Sequence, residues 1–234
     1  MPGDYQDPRP ISQQIAADLR AQILSGDITE SLPSFSRLAA MFGVSVNTCQ
    51  NAVQILKEEG LVSGHQGKRL TVHSPDVLVV TAGMYFEPRR GYLKYEPIGV
   101  ERVAAPRDVA ALLGEAEAVV RNQLMLVDGE PVEVIRNFYA LSLASGTVLE
   151  GRKPVVGGAH GVLAEMGAAP VRFADVVSVR QATRDEMRLL RLPAYASILQ
   201  TLRVTYGAED RVVEVSVLAK GSHRLAARYE VAVH

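Results

Sequence analysis

Four side-chain amides carry the most informative chemistry in this chain. Asn47, Gln50, Asn51 and Gln54 recur at i, i+3, i+4 and i+7, so on a helix they form one stripe. A side-chain amide sets a donor beside an acceptor, which matches the N6/N7 edge of adenine in the DNA major groove. The same spacing suits a solvated helix face, and these residues alone leave both readings open. Asn is a weak helix former, which argues for a use beyond solubility. Val46 precedes the stripe and carries methyl groups that can meet a thymine methyl. Nearby stand the hydroxyls of Ser34, Ser36, Ser45 and Thr48 and the basic Arg37, Lys57, Lys68 and Arg69. Hydroxyls and helix N-terminal amides bond phosphate, and basic residues add charge. Ser34 and Ser45 are equally placed to cap helices, and one serine can serve both purposes.

The elements that position these residues follow from apolar spacing. Cys49, Ala52, Val53 and Leu56 form the opposite stripe of a helix that begins at Ser45 and ends before Gly60. We read Cys49 as core, not as a redox sensor. A first helix is marked by Ile11, Ile15, Leu19 and Ile23, with Ser12 as its cap and Gly26 after its end. A short second helix has Ser34 as N-cap, Leu38 and Met41 as core positions and Gly43 as terminator. Leu61 to Val72 reads as two short strands around a polar turn of His65, Gln66, Gly67, Lys68 and Arg69. Three helices and a hairpin make a winged helix-turn-helix, with that turn as a wing able to reach DNA.

Composition limits what the rest can be. With 234 residues, Lys+Arg 25 and Asp+Glu 26, the formal charge is −1, which excludes a global polyanion-binding surface. Residues 1–75 hold six basic and seven acidic side chains, so one copy is expected to grip DNA weakly and a homodimer to double every contact. A single cysteine excludes an intrachain disulfide and any multi-cysteine metal site, and we expect no cofactor. No long apolar run predicts a membrane span, and no signal peptide is legible, so the expected setting is cytoplasmic. His73-Ser74-Pro75-Asp76 reads as a hinge between domains at 1–75 and 76–234.

Beyond the hinge, strands and helices alternate. A helix is expected from Pro106 to Leu113, and strands at 118–127 and 131–139 across the hairpin signal Asp128-Gly129. A helix over Gly158 to Met166 and a strand over Val176 to Ala182 come next. A capping box, Thr183 to Glu186, opens a helix to Leu192, before strands at 197–206 and 211–218 and a last one at Tyr229 to Val233. A faint repeat runs through this region. Leu112, Val119 and Leu124 match Leu192, Leu199 and Val204 at a spacing of 80, and Glu133 matches Glu214 at 81. Two such units can share one antiparallel sheet with a cleft between them. Arg121, Gln123 and Met125 share one strand face, and Arg136, Tyr139, Arg180, Arg203 and Glu214 are candidate cleft residues. For each of them a solvated face with cross-strand ion pairs is the competing reading. Tyr85, Tyr92 and Tyr95 line the cleft or pack the linker.

The segment from Ile11 to Val72 resembles the winged-helix domain of GntR-type bacterial regulators, through Leu32-Pro33-Ser34, Leu38-Ala39, Val44-Ser45, Thr48, Glu58-Glu59-Gly60-Leu61-Val62 and Gly67-Lys68. It departs at Phe35-Ser36, Val46 and Gln50, where the family usually has other residues, so a different operator is implied. Asp128-Gly129-Glu130-Pro131, Arg180-Gln181-Ala182-Thr183 and Tyr229-Glu230-Val231 resemble the HutC-like effector (UTRA) domain, whose fold is related to chorismate lyase. The resemblance implies an α+β protein: an N-terminal winged helix-turn-helix, then a chorismate-lyase-like antiparallel α+β effector domain. It implies a double-stranded DNA operator and a small-molecule effector. Phosphate-binding members place arginines where this chain has Gln123 and Met125, which implies that these two, with Arg121 on the same face, are candidate ligand residues and disfavours a phosphosugar. No catalytic motif is legible, so the expected function is a ligand-responsive repressor and not an enzyme. The alternatives are a ligand-independent dimeric repressor and a lyase-like enzyme.

Overall fold

The computed structural model describes residues 7–64, 69–72, 78–86, 93–155, 157–192, 196–221 and 225–230. Helix α1 (Ile11–Ser25) forms because Ile15, Ala16, Leu19 and Ile23 share one side, and it stops at Gly26, whose φ of 84° is left-handed. It starts directly after Pro10 without a side-chain cap, so Ser12 lies inside its first turn instead of capping it. After β1 (Ser31–Leu32), helices α2 (Phe35–Phe42) and α3 (Val46–Glu58) open as their sequences predict. Ser34 accepts from the Arg37 N–H and Ser45 from the Thr48 N–H. Met41, expected in the core, is 57% exposed. The buried stripe of α2 runs instead through Leu38 flanked by Phe35, Ala39 and Phe42, and Met41 falls off its edge.

Strands β2 (Val62–Ser63) and β3 (Leu70–Val72) form the hairpin, and β1 joins them in the order β1-β3-β2. The core of this unit gathers Leu19, Leu38, Cys49, Val53, Leu56 and Leu70. The chain divides into two compact units, Met1–Val77 and Leu78–His234. The hinge at 73–76 and the wing tip at 65–68 lie outside the described residues.

The second unit is built on six antiparallel strands in the order β5-β6-β7-β10-β9-β8. β4 (Leu78–Thr81) leads through a 3₁₀ turn (Ala82–Tyr85) to β5 (Leu93–Ala104), α4 (Arg107–Leu113), β6 (Glu117–Val127) and β7 (Glu130–Ala140). Asp128 and Gly129, at φ 51° and 81°, make the tight hairpin turn. Then come α5 (Leu141–Ala144), α6 (Ala159–Glu165), β8 (Arg172–Gln181), α7 (Arg184–Leu189), β9 (Ser197–Tyr206), β10 (Val212–Lys220) and β11 (Leu225–Arg228).

Strand, helix, strand, strand occurs twice, and the two sets meet where β7 pairs with β10. The faint repeat implied the helix and the two strands after it in each set, sharing one sheet; the leading strands β5 and β8 lay outside it. α7 is shorter than expected because the backbone turns left-handed at Arg191, φ 53°. Of the last strand expected at Tyr229 to Val233, Tyr229 and Glu230 lie outside any strand. β11 ends at Arg228, Tyr229 sends its hydroxyl to Asp175 at 3.0 Å, and 231–234 are outside the described residues.

The two faces of this sheet are covered differently. On one face Val109 of α4 packs against Val120, Phe138, Val204 and Val215, and Leu190, just after α7, against Val134, Ile198 and Ala219. On the other, α5 and α6 pack around Tyr139 and Val213, while the parallel pair β4–β11 packs around Ile135 and Leu218. The functional side chains enter between those two covers.

Candidate functional site

On α3, Asn47, Asn51 and Gln54 are exposed, Gln50 is half-buried and Val46 is 41% exposed, opposite the buried Cys49, Ala52, Val53 and Leu56. The amide stripe is therefore presented outward. Gln54 donates to Glu58 at 3.2 Å, one turn on. Ser45 Oγ and Thr48 Oγ1 sit 2.8 Å apart at the helix start, and Ser34, Ser36 and Arg37 are exposed at the start of α2. Lys57 faces inward and donates to the Gly64 carbonyl at 2.6 Å, which ties α3 to the base of the wing. Arg69 pairs with Glu30 at 2.9 Å, both largely exposed, so the attachment is weak. His65, Gln66, Gly67 and Lys68 lie outside the described residues.

The second unit holds a cavity of about 690 Å³ over the junction of β7 and β10. Ile135 and Asn137 of β7, Glu214, Ser216 and Leu218 of β10, Gln123 of β6 and Arg203 of β9 line it. Asn137, Ser216 and Arg203 stand directly opposite one another across three strands, a polar row laid by strand register. Tyr85, Phe86 and Tyr95 close one side, and Pro154, Val155 and the segment from Gly157 to Gly161 close the other.

The charged groups here are held by one another. Arg203 is bound by both oxygens of Asp175 at 2.8 Å, with ring centroids of Phe173 and Tyr85 at 4.4 and 4.7 Å from its guanidinium. Glu214 accepts from Tyr139 at 2.5 Å and Ser216 at 2.9 Å, and faces His160 at 3.4 Å. Burial alone would raise the Glu214 carboxyl, yet these partners hold it below its ordinary value. His160, which burial would lower, is raised by the same carboxylate. Its ring stacks on Phe86 with centroids 4.7 Å apart. Tyr85 donates to Glu133, which is fully buried and paired with Lys220 at 2.9 Å.

Of the residues singled out by sequence, the cavity wall includes Gln123, Arg203 and Glu214, together with Tyr85 and Tyr95; Tyr92 lies outside the described residues. Arg121 is buried behind it and donates to the carbonyls of Leu149, Gly151 and Lys153, pinning the covering segment. Met125 packs in the core beneath the cover, and Tyr139 reaches the site only through Glu214. Arg136 and Arg180 sit on the opposite face, where both bind Glu186 of α7. Asn137 and Ser216 escaped notice although they share strand parity with Tyr139 and Glu214. His160 had no sequence signal, since it arrives from a distant helix.

Residues 11–72 match the bacterial regulatory proteins of the gntR family, and residues 89–224 match the UTRA domain. The chain belongs to the UTRA-bearing gntR family. It is a DNA-binding, ligand-responsive transcription regulator with the α+β fold its sequence implied. This regulator is 28% identical over 233 residues to an HTH-type transcriptional regulator of Rhizobium meliloti, with 93% of each chain covered. Its fold is similar to that of PhnF from Mycobacterium smegmatis, at TM-score 0.54 and 19% identity, over 93% of this chain and 100% of that one. The C-terminal domain of the histidine utilization repressor from Pseudomonas syringae superposes with TM-score 0.51 at 17% identity, covering 60% of this chain and 99% of that domain. Among the described residues no helix is long and apolar enough to cross a membrane.

Proposed function

We propose that this regulator is a cytoplasmic, homodimeric repressor that leaves its operator when a small molecule occupies the cavity between β7 and β10. The observation that carries this reading is the cavity itself: about 690 Å³, with amide, hydroxyl and carboxylate groups converging on it, in a chain that also bears a capped helix-turn-helix. Asn47, Gln50, Asn51, Gln54 and Val46 read bases. Ser34, Ser36, Arg37, Ser45, Thr48 and the wing residues His65, Gln66, Gly67, Lys68 and Arg69 hold phosphate and position the reader.

The effector we favour carries no phosphate. Among the described wall residues an amide, Gln123, stands where phosphate-binding relatives place arginine; Arg121 is engaged by three carbonyls and Arg203 by Asp175. Effector binding shifts the population toward a dimer whose reading helices no longer match adjacent turns of DNA. We assign no catalytic step. Membership among regulators favours this reading over a lyase, and chorismate turnover by the purified chain would overturn it.

Selection of bound DNA from a random pool gives the operator, and footprinting with metabolites that raise the melting temperature tests release. The footprint is expected to weaken. A footprint unchanged by every such metabolite would instead identify a ligand-independent repressor. Gln50→Ala is expected to relax base preference at one position per half-site by about 1–3 kcal/mol. Lys68→Ala is expected to weaken all sequences alike and lessen the salt slope.

A further inference from the structure

We propose that the effector is an organic cation, a protonated amine on an apolar or aromatic body, whose ammonium group binds Glu214 in the cavity. The proposal rests on the effector-site reading above and names the class of ligand. The other half of the sheet shows what such a glutamate takes as a partner. Glu133 on β7 and Glu214 on β10 stand 81 residues apart at matching places, and both are buried. Each accepts from one tyrosine hydroxyl, Glu133 from Tyr85 and Glu214 from Tyr139. Glu133 also meets an ammonium group, that of Lys220, directly opposite in the β7–β10 register and 2.9 Å away. The residue that matches Lys220 in the other half is Tyr139, which brings no charge. Glu214 is left with the Ser216 hydroxyl and with His160, which stands 3.4 Å away on the covering helix α6 and is charged only when protonated. Glu133 is sealed in. Glu214 lines the cavity.

The surroundings of Glu214 suit a cation. Ser216 and Asn137 face each other across β10 and β7, and their side-chain oxygens can accept the remaining hydrogens of an ammonium group. Tyr85, Phe86 and Tyr95 border the same space, and aromatic faces attract cations. These rings already serve one, since the Arg203 guanidinium lies 4.7 Å from the Tyr85 centroid and 5.6 Å from that of Phe86. An anion would meet the reverse. Among the described wall residues Arg203 is the sole arginine or lysine, and both oxygens of Asp175 hold it. Arg121, behind the wall, donates to three backbone carbonyls. A ligand carboxylate would have to displace Asp175 while lying close to Glu214, whereas an ammonium group takes the place that Lys220 holds beside Glu133. A cavity of about 690 Å³ is much larger than one ammonium group, so an apolar body packs beside Met84, Leu93, Ile135 and Leu218.

The test uses the full native chain and two sets of probes that share a body and differ in one group. One set is tyramine, tyrosol and para-hydroxyphenylacetate; the other is hexylamine, hexanol and hexanoate. In calorimetry at neutral pH, the amine of at least one set is expected to bind about ten- to a hundredfold more tightly than its alcohol and its carboxylate. Glu214→Gln, with circular dichroism to confirm its fold, is expected to bring the amine to the level of the alcohol and to change alcohol binding less than about threefold. If that variant does not fold, the ranking on the native chain decides alone. A carboxylate that ranks first, three members that bind alike, no amine binding at about 10 mM, or a folded E214Q chain that keeps the preference overturns the ammonium class. Footprinting separates this from the reading beneath it. A metabolite without a cationic group that binds the chain and frees the operator overturns the class and leaves the effector site standing. An amine that binds through Glu214 while the operator stays occupied upholds the class and counts against release.

Discussion

The two halves of the effector sheet share a frame and fill it with different chemistry. Glu133 and Glu214 stand 81 residues apart at matching places, as do Tyr139 and Lys220. Each glutamate meets the other half's member of that second pair: Glu133 binds Lys220 at 2.9 Å, and Glu214 binds Tyr139 at 2.5 Å. One crossing is a closed ion pair, while the other leaves a carboxylate whose charge is answered by a neutral phenol and by His160. Gln123 and Arg203, 80 residues apart, repeat the theme, since both reach the cavity wall but only Arg203 is locked to an acid. The frame sets where polar side chains enter. The local partner decides whether they lock the sheet or stay open to the cavity.

The largest expected effect tests the closed crossing. Lys220→Met leaves Glu133, fully buried, with the Tyr85 hydroxyl as its remaining donor among the described residues, and is expected to cost about 3–5 kcal/mol in urea unfolding. A loss below about 1 kcal/mol would mean that the ion pair is no more structural than its counterpart. Next comes the back face, where Glu186 joins Arg136 of the first half to Arg180 of the second. Burial would raise this carboxyl, but bonds from Arg180, the Thr183 N–H and Arg136 hold it at about 2, against an ordinary value of 4.5. A depressed carboxyl stabilises the fold above its unfolded value and loses that contribution as the pH falls toward its folded one. Wild type should therefore exceed Glu186→Gln by about 2–3 kcal/mol near neutrality, with the gap closing between pH 4.5 and 2 in acid melts. Among the described residues the first half has no equivalent clasp, because α4 opens at Pro106 without a side-chain cap. Tyr139→Phe on the open crossing is expected to cost about 2 kcal/mol, since Glu214 keeps Ser216 and His160.

Sequence legibility followed the range of the interactions. Ser34, Gly43 and Ser45 announced their helices because a cap acts within four residues, and Asp128-Gly129 announced its hairpin for the same reason. β5 went unread because Pro97 and Gly99 interrupt it, and those interruptions suit an outer strand. β1, β4 and β11 are two to four residues long and pair with distant partners, so they carry no periodic signal. In the cavity, strand parity separates Gln123, Asn137 and Glu214 from Arg136 and Arg180, which point to the back. Parity could not show that Arg121 and Met125, on the correct face, lie beneath the cover rather than in the opening. His160 depends on where a covering helix lands, which no local pattern encodes.

The smallest expected effect on stability is also the sharpest test of the division between holding and waiting. Gln123 is half-buried at the wall, and among the described residues its amide has no hydrogen-bond partner. Gln123→Ala should leave unfolding within about 0.5 kcal/mol of wild type, because no native bond is lost. The matching change Arg203→Met strips Asp175 of its bidentate partner and should cost several times as much. The two variants should then diverge the other way with ligand. For a metabolite selected by thermal shift, a saturating dose near 100 times its dissociation constant adds about 2.7 kcal/mol to wild type. Loss of one good amide contact removes about 1–1.5 kcal/mol of that in Gln123→Ala, a roughly tenfold weaker dissociation constant. If Gln123→Ala instead destabilises the empty protein by more than about 1 kcal/mol, its amide is structural. The halves would then differ in partner identity alone, and the open side of the cavity would have to be sought nearer Glu214 and His160.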